Sequence, residues 1–546
     1  MKLKHSCFCL LLVPILVSCS SGNVRNTTRT AFDVMEATIA DIHAGYTNGS
    51  LTAVQLVQQY LDRIEAYDQA GPKINSIITV NKNALAEAAQ LDHEREQTGL
   101  RGPLHGIPVV LKDNINTLDM PTTNGSAILR GVIPPTDATL TRELREAGAI
   151  ILGKAAMGEF ASGSYNSVSG QTINPYNFKR DTGGSSSGSA AAVASNFAVL
   201  GVGTDTSTSV RGPSAFNGIV GLRPTTGLVS RAGIAPKDLE FDTAGPMART
   251  VSDVARMLSV MAVSDPYDPL SQPVWNEVAA KYTVRDAHID YTTFLDANAL
   301  KGKRVGVLRD FFGGDPEIEA MAAEALQQIE ALGATLVDIR LDAGFMERYT
   351  GAGQTRIRRT ADYRFREDWE EYAATLAGTP ATVAEYIERY ESVVNKSPLP
   401  ATDGTLRLLK DSLDKSTADP AYQQLVSETL PRATADKLAV FEKYGVDVLV
   451  FPYETSFARV ISNPVYKLED PTYVESDVSV PATLAGYNST GFPSVVVPMG
   501  FGTQGLPMAL GFIGTPYSDG PLLGYAYAYE QASRKRRPSP LLPPLH

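Results

Sequence analysis

The sequence predicts an α/β fold built on one large, mixed and mostly parallel sheet sandwiched between helices. Two patterns carry that prediction. Short apolar runs recur at Ile107–Leu111, Ile150–Leu152, Val199–Val202, Ile219–Leu222, Val305–Leu308 and Val448–Phe451, and continuous rather than alternating apolar character marks strands covered on both faces. Helical periodicity fills the stretches between them. Near the end, Ser494–Pro498 and Met508–Ile513, joined by GFGTQG, read as a hairpin.

Taken in order, the chain opens with MKLKHSCFCLLLVPILVSC. A lysine-bearing start, an apolar run too short to span a bilayer and then small residues are the pattern of a secretory signal, here residues 1–18. Leu16-Val17-Ser18-Cys19 resembles a bacterial lipoprotein cleavage box. The expectation is an exported, membrane-anchored lipoprotein, lipidated on Cys19 and tethered by the polar residues up to Thr30. Residues 31–540 then form the domain. Phe32, Met35, Ile39 and Ile42 recur at helical spacing, as do Leu56, Tyr60 and Ile64 behind Thr52 as N-cap, and a third helix spans Asn83–Gln97. From about residue 315 to 443 the pattern turns helical and charged with no strong strand, suiting a substrate cap or an outer helical layer.

A length of 546 residues suggests two or three domains, but no break in composition or internal repeat divides the chain, so one large domain is expected. The net charge of −11 becomes −13 once Lys2 and Lys4 are removed with the signal. An acidic body without a basic cluster argues against a nucleic-acid partner. All three cysteines lie within the first 19 residues, and the six histidines show no paired spacing. That leaves no thiol nucleophile in the body and no metal site, and no cofactor is expected.

The chemistry concentrates in Thr182–Pro213, TGGSSSGSAAAVASNFAVLGVGTDTSTSVRGP, with Lys112 upstream closing the apolar GIPVVLKDN. Three serine-hydrolase readings compete. Gly184–Gly188 matches GxSxG with Ser186 as nucleophile, but that elbow needs Asp and then His downstream. Only His288 and His546 follow it. Ser412 and Lys415 match SxxK without the companion motifs of that class. The third pairs two serines with a lysine. A serine hydroxyl needs a base, and lysine serves only when neutral, which desolvation on an apolar strand favours. Ser209 follows a strand-like run and precedes a helix, so the amides of Thr206, Ser207, Thr208 and Ser209 can face an oxyanion.

The blocks GPLHGIPVVLKDNI, AGAIILGKAAMGEF, GGSSSGSAAAVASN, GTDTSTSVRGPSAFNGIVGLRPT, DTAGPMART and GFPSVVVPMGF resemble the amidase signature family, in family order and over nearly the whole domain. Within it, the secreted bacterial peptide amidases are the most similar in appearance. The resemblance implies a sheet of about eleven strands and cleavage of a carboxamide C–N bond, with a small-molecule or peptide amide as substrate. It also implies Lys112 as base, Ser185 as bridging serine, Ser209 as nucleophile, a cis peptide bond before Ser185, and supporting roles for Gly184, Ser187 and Thr204. Two positions depart from the family pattern. Ser207-Thr208 stands where many members have Gly-Gly, and a β-branched residue resists positive φ; Thr182 replaces a frequent proline. Asp205 and Arg211 are expected to buttress the loop, and His105 to be structural. A pseudoenzyme that binds amides is the alternative. Export sets aside the family's transamidating subunit of glutamine-tRNA synthesis, which works in the cytoplasm.

Overall fold

The computed structural model describes residues 32–342, 345, 360–474 and 491–545. The expected signal segment and tether, with Cys19, lie outside the described residues. Eleven strands form one sheet: β1 Ile77–Val80, β2 Pro108–Lys112, β3 Ile150–Ala155, β4 Leu200–Asp205, β5 Val220–Arg223, β6 Thr243–Ala248, β7 Arg304–Leu308, β8 Thr335–Ile339, β9 Val448–Pro452, β10 Ser494–Phe501 and β11 Pro507–Ile513. Their spatial order is β1-β3-β2-β4-β6-β5-β10-β11-β9-β7-β8. Parallel pairing joins β2 to β3 and β4, and β7 to β8 and β9. Antiparallel pairs join the remaining neighbours, including the expected β10–β11 hairpin. The fold class is as expected, a mixed α/β sheet between helices. Among the described residues, however, six antiparallel pairs outnumber the four parallel ones, so the sheet is not mostly parallel: antiparallel pairing rather than parallel crossovers joins its central strands.

Local rules explain most boundaries. Thr52 caps helix Ala53–Arg63 in a capping box with Gln55. The first helix starts at Ile39, not near Ala31, because Thr38 and Asp41 form a capping box of their own. Hydrophobic spacing before the cap did not extend the helix.

Three strands escaped the sequence pattern. Besides the short β1, β6 contains Gly245 and Pro246 yet pairs on both sides, a case of tertiary pairing overriding propensity. β8 falls inside the segment expected to hold no strong strand. It is an edge strand whose Thr335 and Asp338 are exposed, so no apolar run announces it.

The helices Thr360–Ala374, Val383–Ser392 and Asp403–Asp411 share a second core with Leu129, Phe160 and Ala235. Phe160 stacks edge-on to Trp369 at 4.7 Å. This fixes the helical segment against the loop at 158–163, directly behind the glycine-serine loop.

Candidate active site

Lys112 ends β2 and is fully buried. Parallel pairing of β2 with β4 sets Leu111 opposite Val202, which brings the end of β2 beside Thr204. The Lys112 Nζ lies 2.7 Å from Ser185 Oγ, 2.8 Å from Thr204 Oγ1 and 3.2 Å from the Thr204 carbonyl. A neutral amine has two N–H groups and one lone pair. Thr204 can take both hydrogens, and the lone pair then faces the Ser185 hydroxyl. Burial pulls Lys112 down to about 7, and Lys237 adds like-charge repulsion while Asp205 and Asp242 oppose it.

Ser185 sits in the loop before helix Ser187–Ala194, and the Gly184–Ser185 peptide bond is cis. The Ser185 carbonyl accepts the Gly158 N–H at 3.1 Å. A Cβ on Gly184 would overlap the Gly163 carbonyl, so only glycine lets the two loops approach this closely. Ser187 donates to the Ala156 carbonyl at 3.3 Å.

Ser209 lies in the loop between β4 and helix Arg211–Phe216. Its carbonyl accepts the Ser186 N–H at 3.2 Å, tying it to the Ser185 loop. Among the described residues, the amides of Thr206, Ser207, Thr208 and Ser209 donate to no protein acceptor, and such free amides can hold an oxyanion. None of the four has positive φ, so the loop is built without the conformation that glycine would supply. Thr206 Oγ1 donates to Asp242 at 2.5 Å.

Beneath this loop Asp205 is fully buried. It accepts from the Val210 N–H at 3.0 Å, Arg211 Nε at 3.0 Å and Arg223 Nη1 at 3.1 Å. Burial by itself would raise its carboxyl, but Arg211 and Arg223 outweigh that and hold it well below the carboxylate range. Arg211 also donates to the Ser207 carbonyl and lies over the Tyr453 ring at 5.7 Å. It buttresses the loop, as expected.

The competing serines are otherwise engaged. Ser186 Oγ donates to the Thr204 carbonyl and accepts the Thr204 N–H, both at 3.2 Å. Ser412 Oγ donates to the Leu409 carbonyl at 2.8 Å, while Lys415 pairs with Asp362 at 3.4 Å. His105 bonds the Leu91 carbonyl and the Arg101 N–H, each at 3.1 Å, a structural role.

Sequence reasoning missed Asn114, Arg223, Lys237 and Asp242. Asn114 Nδ2 donates to Thr204 Oγ1 at 3.0 Å. Its signal was its place in GIPVVLKDN two residues beyond Lys112, in the turn closed by the Ile115 N–H on the Lys112 carbonyl at 2.9 Å. Asp113, between them, turns away to pair with Lys154 at 3.2 Å. The other three come from remote segments and left no local mark. Among the described residues no cluster of His, Cys, Asp or Glu suits a metal.

The Amidase family model matches residues 55–523. Over 91% of its length the chain is 34% identical to a glutamyl-tRNA(Gln) amidotransferase subunit from Cyanothece sp., covering 98% of that protein. Among solved structures, the peptide amidase from Stenotrophomonas maltophilia superposes with a TM-score of 0.79 at 36% identity, covering 92% of this chain and 98% of that one. An amidase family protein from Bacillus anthracis gives 0.78 at 31%, covering 93% and 92%. These matches correct one expectation. The curated relatives are named for glutamyl-tRNA(Gln), a substrate of the cytoplasm, which overturns placement as an exported lipoprotein. Export therefore no longer counts against a likeness to the amidotransferase. No described helix is long and apolar enough to cross a membrane.

Proposed function

The chain belongs to the amidase family and acts on the C–N bond of an amide, and on that premise we propose that it is a hydrolase working through an acyl-enzyme on Ser209. The observation that carries the reading is the 2.7 Å approach of the buried Lys112 Nζ to Ser185 Oγ, on the loop tied to Ser209. Lys112, neutral, takes the Ser185 proton as Ser185 takes that of Ser209. The Ser209 Oγ attacks the carbonyl carbon, and the amides of Thr206–Ser209 receive the oxyanion. Collapse breaks the C–N bond, and the proton returns through Ser185 to the leaving amine. Water then releases the acid by the same relay. A peptide amide is the proposed substrate, supported by 36% identity to a peptide amidase.

A fluorophosphonate probe should label Ser209, with Ser209→Ala abolishing both label and turnover while the protein stays folded. Label found on Ser186 would overturn the assignment. Turnover of peptide, aryl, fatty and simple aliphatic amides should favour the first; preference for another class would overturn the substrate.

The 34% identity to an amidotransferase component favours a second reading, in which the released nitrogen passes to a partner's substrate. Amide hydrolysis by the isolated chain supports the first reading; activity that emerges only with a partner supports the second. Nothing observed favours a non-catalytic binder.

A further inference from the structure

We propose that Lys237 is a positioning residue for this reaction: its ammonium pins the Ala161–Ser162 turn behind the Ser185 loop, and its side chain lines one cavity with Thr204, the hydrogen-bond partner of Lys112, so that it brings a like charge to the neighbourhood of the base. The inference rests on the proposed role of Lys112.

The pinning is geometric. Lys237 Nζ donates to the Ala161 carbonyl at 2.7 Å and to Ser162 Oγ at 2.8 Å. Phe160 and Ala161 both hold positive φ, at 47° and 54°, a conformation that non-glycine residues keep only when their surroundings impose it. This turn lies between Gly158, whose N–H bonds the Ser185 carbonyl, and Gly163, against which Gly184 packs. Movement of the turn would therefore move Ser185.

The like charge is equally local. Lys237, Asn114, Thr204 and Thr206 line one small cavity of about 10 Å³, together with Asp242 and with Arg231, whose charge is paired with Asp268. Thr204 accepts from the Lys112 amine, Asn114 donates to the same Thr204 hydroxyl, and Thr206 begins the oxyanion loop. The charged groups acting on Lys112 are Lys237, Asp205 and Asp242. Asp205 is committed to Arg211 and Arg223. Asp242 accepts the Lys237 and Asp238 N–H groups at 2.8 and 2.9 Å as well as the Thr206 hydroxyl. On the opposite side of β2, Asp113 and Lys154 neutralise each other. Lys237 is thus the cation that discourages protonation of Lys112, and burial alone does not complete the effect.

Removing Lys237 makes the Lys112 ammonium easier to form, so the neutral base persists only at higher pH. Lys237→Met should move the midpoint of the pH–labelling profile of Ser209 alkaline by roughly one pH unit. Labelling would slow about tenfold at pH 6 and approach the parent rate above pH 9. Lys237→Arg, which keeps charge and donors, should leave the midpoint in place. A second readout avoids catalysis: ¹³C NMR of lysine-labelled protein, with the Lys112 resonance assigned through Lys112→Met, should show the same displacement. Slowing by the same factor at every pH with an unmoved midpoint would reduce Lys237 to a structural brace and overturn the proposal. An equal shift in Lys237→Arg would also overturn it. If the parent never labels, the reading of Ser209 fails, while the NMR titration still decides Lys237.

Discussion

Replacing Lys112 with methionine should destroy activity and at the same time stabilise the protein at neutral pH. A lysine at its ordinary 10.5 is neutral in roughly one molecule in 3,000 at pH 7, whereas at about 7 roughly half are neutral. Burial, with the like charge of Lys237, therefore supplies about a thousandfold gain in active base, and folding bears its cost. Because the folded-state value lies below the unfolded one, the unfolded chain binds more protons between about pH 7 and 10.5. The parent's stability should rise with pH across that window, and the penalty at pH 7 is on the order of 4 kcal/mol. Methionine removes it, but strands the hydroxyl of Ser185, at about 1–3 kcal/mol for a group left unpaired, while Thr204 keeps its bond from Asn114. The net expectation is a gain of about 1–3 kcal/mol at pH 7 that vanishes and reverses toward pH 10. Urea unfolding of parent and variant between pH 6 and 10 reads this directly, since the midpoint reports stability when the slope is unchanged. Parallel stability curves for the two proteins would refute the claim that Lys112 is held neutral by burial.

Other substitutions test the surrounding loop. Asp205→Asn leaves Arg211 and Arg223 without their buried counter-charge and should cost about 3–5 kcal/mol in urea unfolding; a loss below about 1 kcal/mol would remove Asp205 from its buttressing role. Since its carboxyl is held below the ordinary range, that contribution persists above the unfolded value near 4 and should fade only at lower pH, measurable as an acid limb absent from the variant. The double change Ser207→Gly and Thr208→Gly should leave kcat on the preferred amide within a factor of a few, because neither position holds positive φ, and should widen tolerance for bulky acyl groups; an unchanged acyl preference would mean that these side chains do not bound the pocket. Ser412→Ala should leave turnover intact, since its hydroxyl serves only the Leu409 carbonyl; a large loss would reopen the SxxK reading.

The sequence by itself determined whatever local spacing encodes. The run that ends in Lys112 is a strand because five consecutive residues bury both faces, and the β10–β11 hairpin is set by its glycine-rich turn. Thr52 starts a helix because its hydroxyl meets the Gln55 N–H three residues on. The serine-rich loops and Lys112 were legible as one chemical group because each sits in a contiguous motif and the motifs together, in order, resemble one family. Tertiary structure decided what contiguous residues cannot specify. β6 forms through Gly245 and Pro246 because strands wait on both sides of it, and β8 stays polar because an edge needs only one apolar face. Arg223, Lys237 and Asp242 reach the site from separate segments, drawn there by the need to pair buried charge and satisfy buried polar atoms. That Ser207-Thr208 fits where glycines were expected likewise rests on backbone angles, held from below by the buried Asp205 and Arg211 pair.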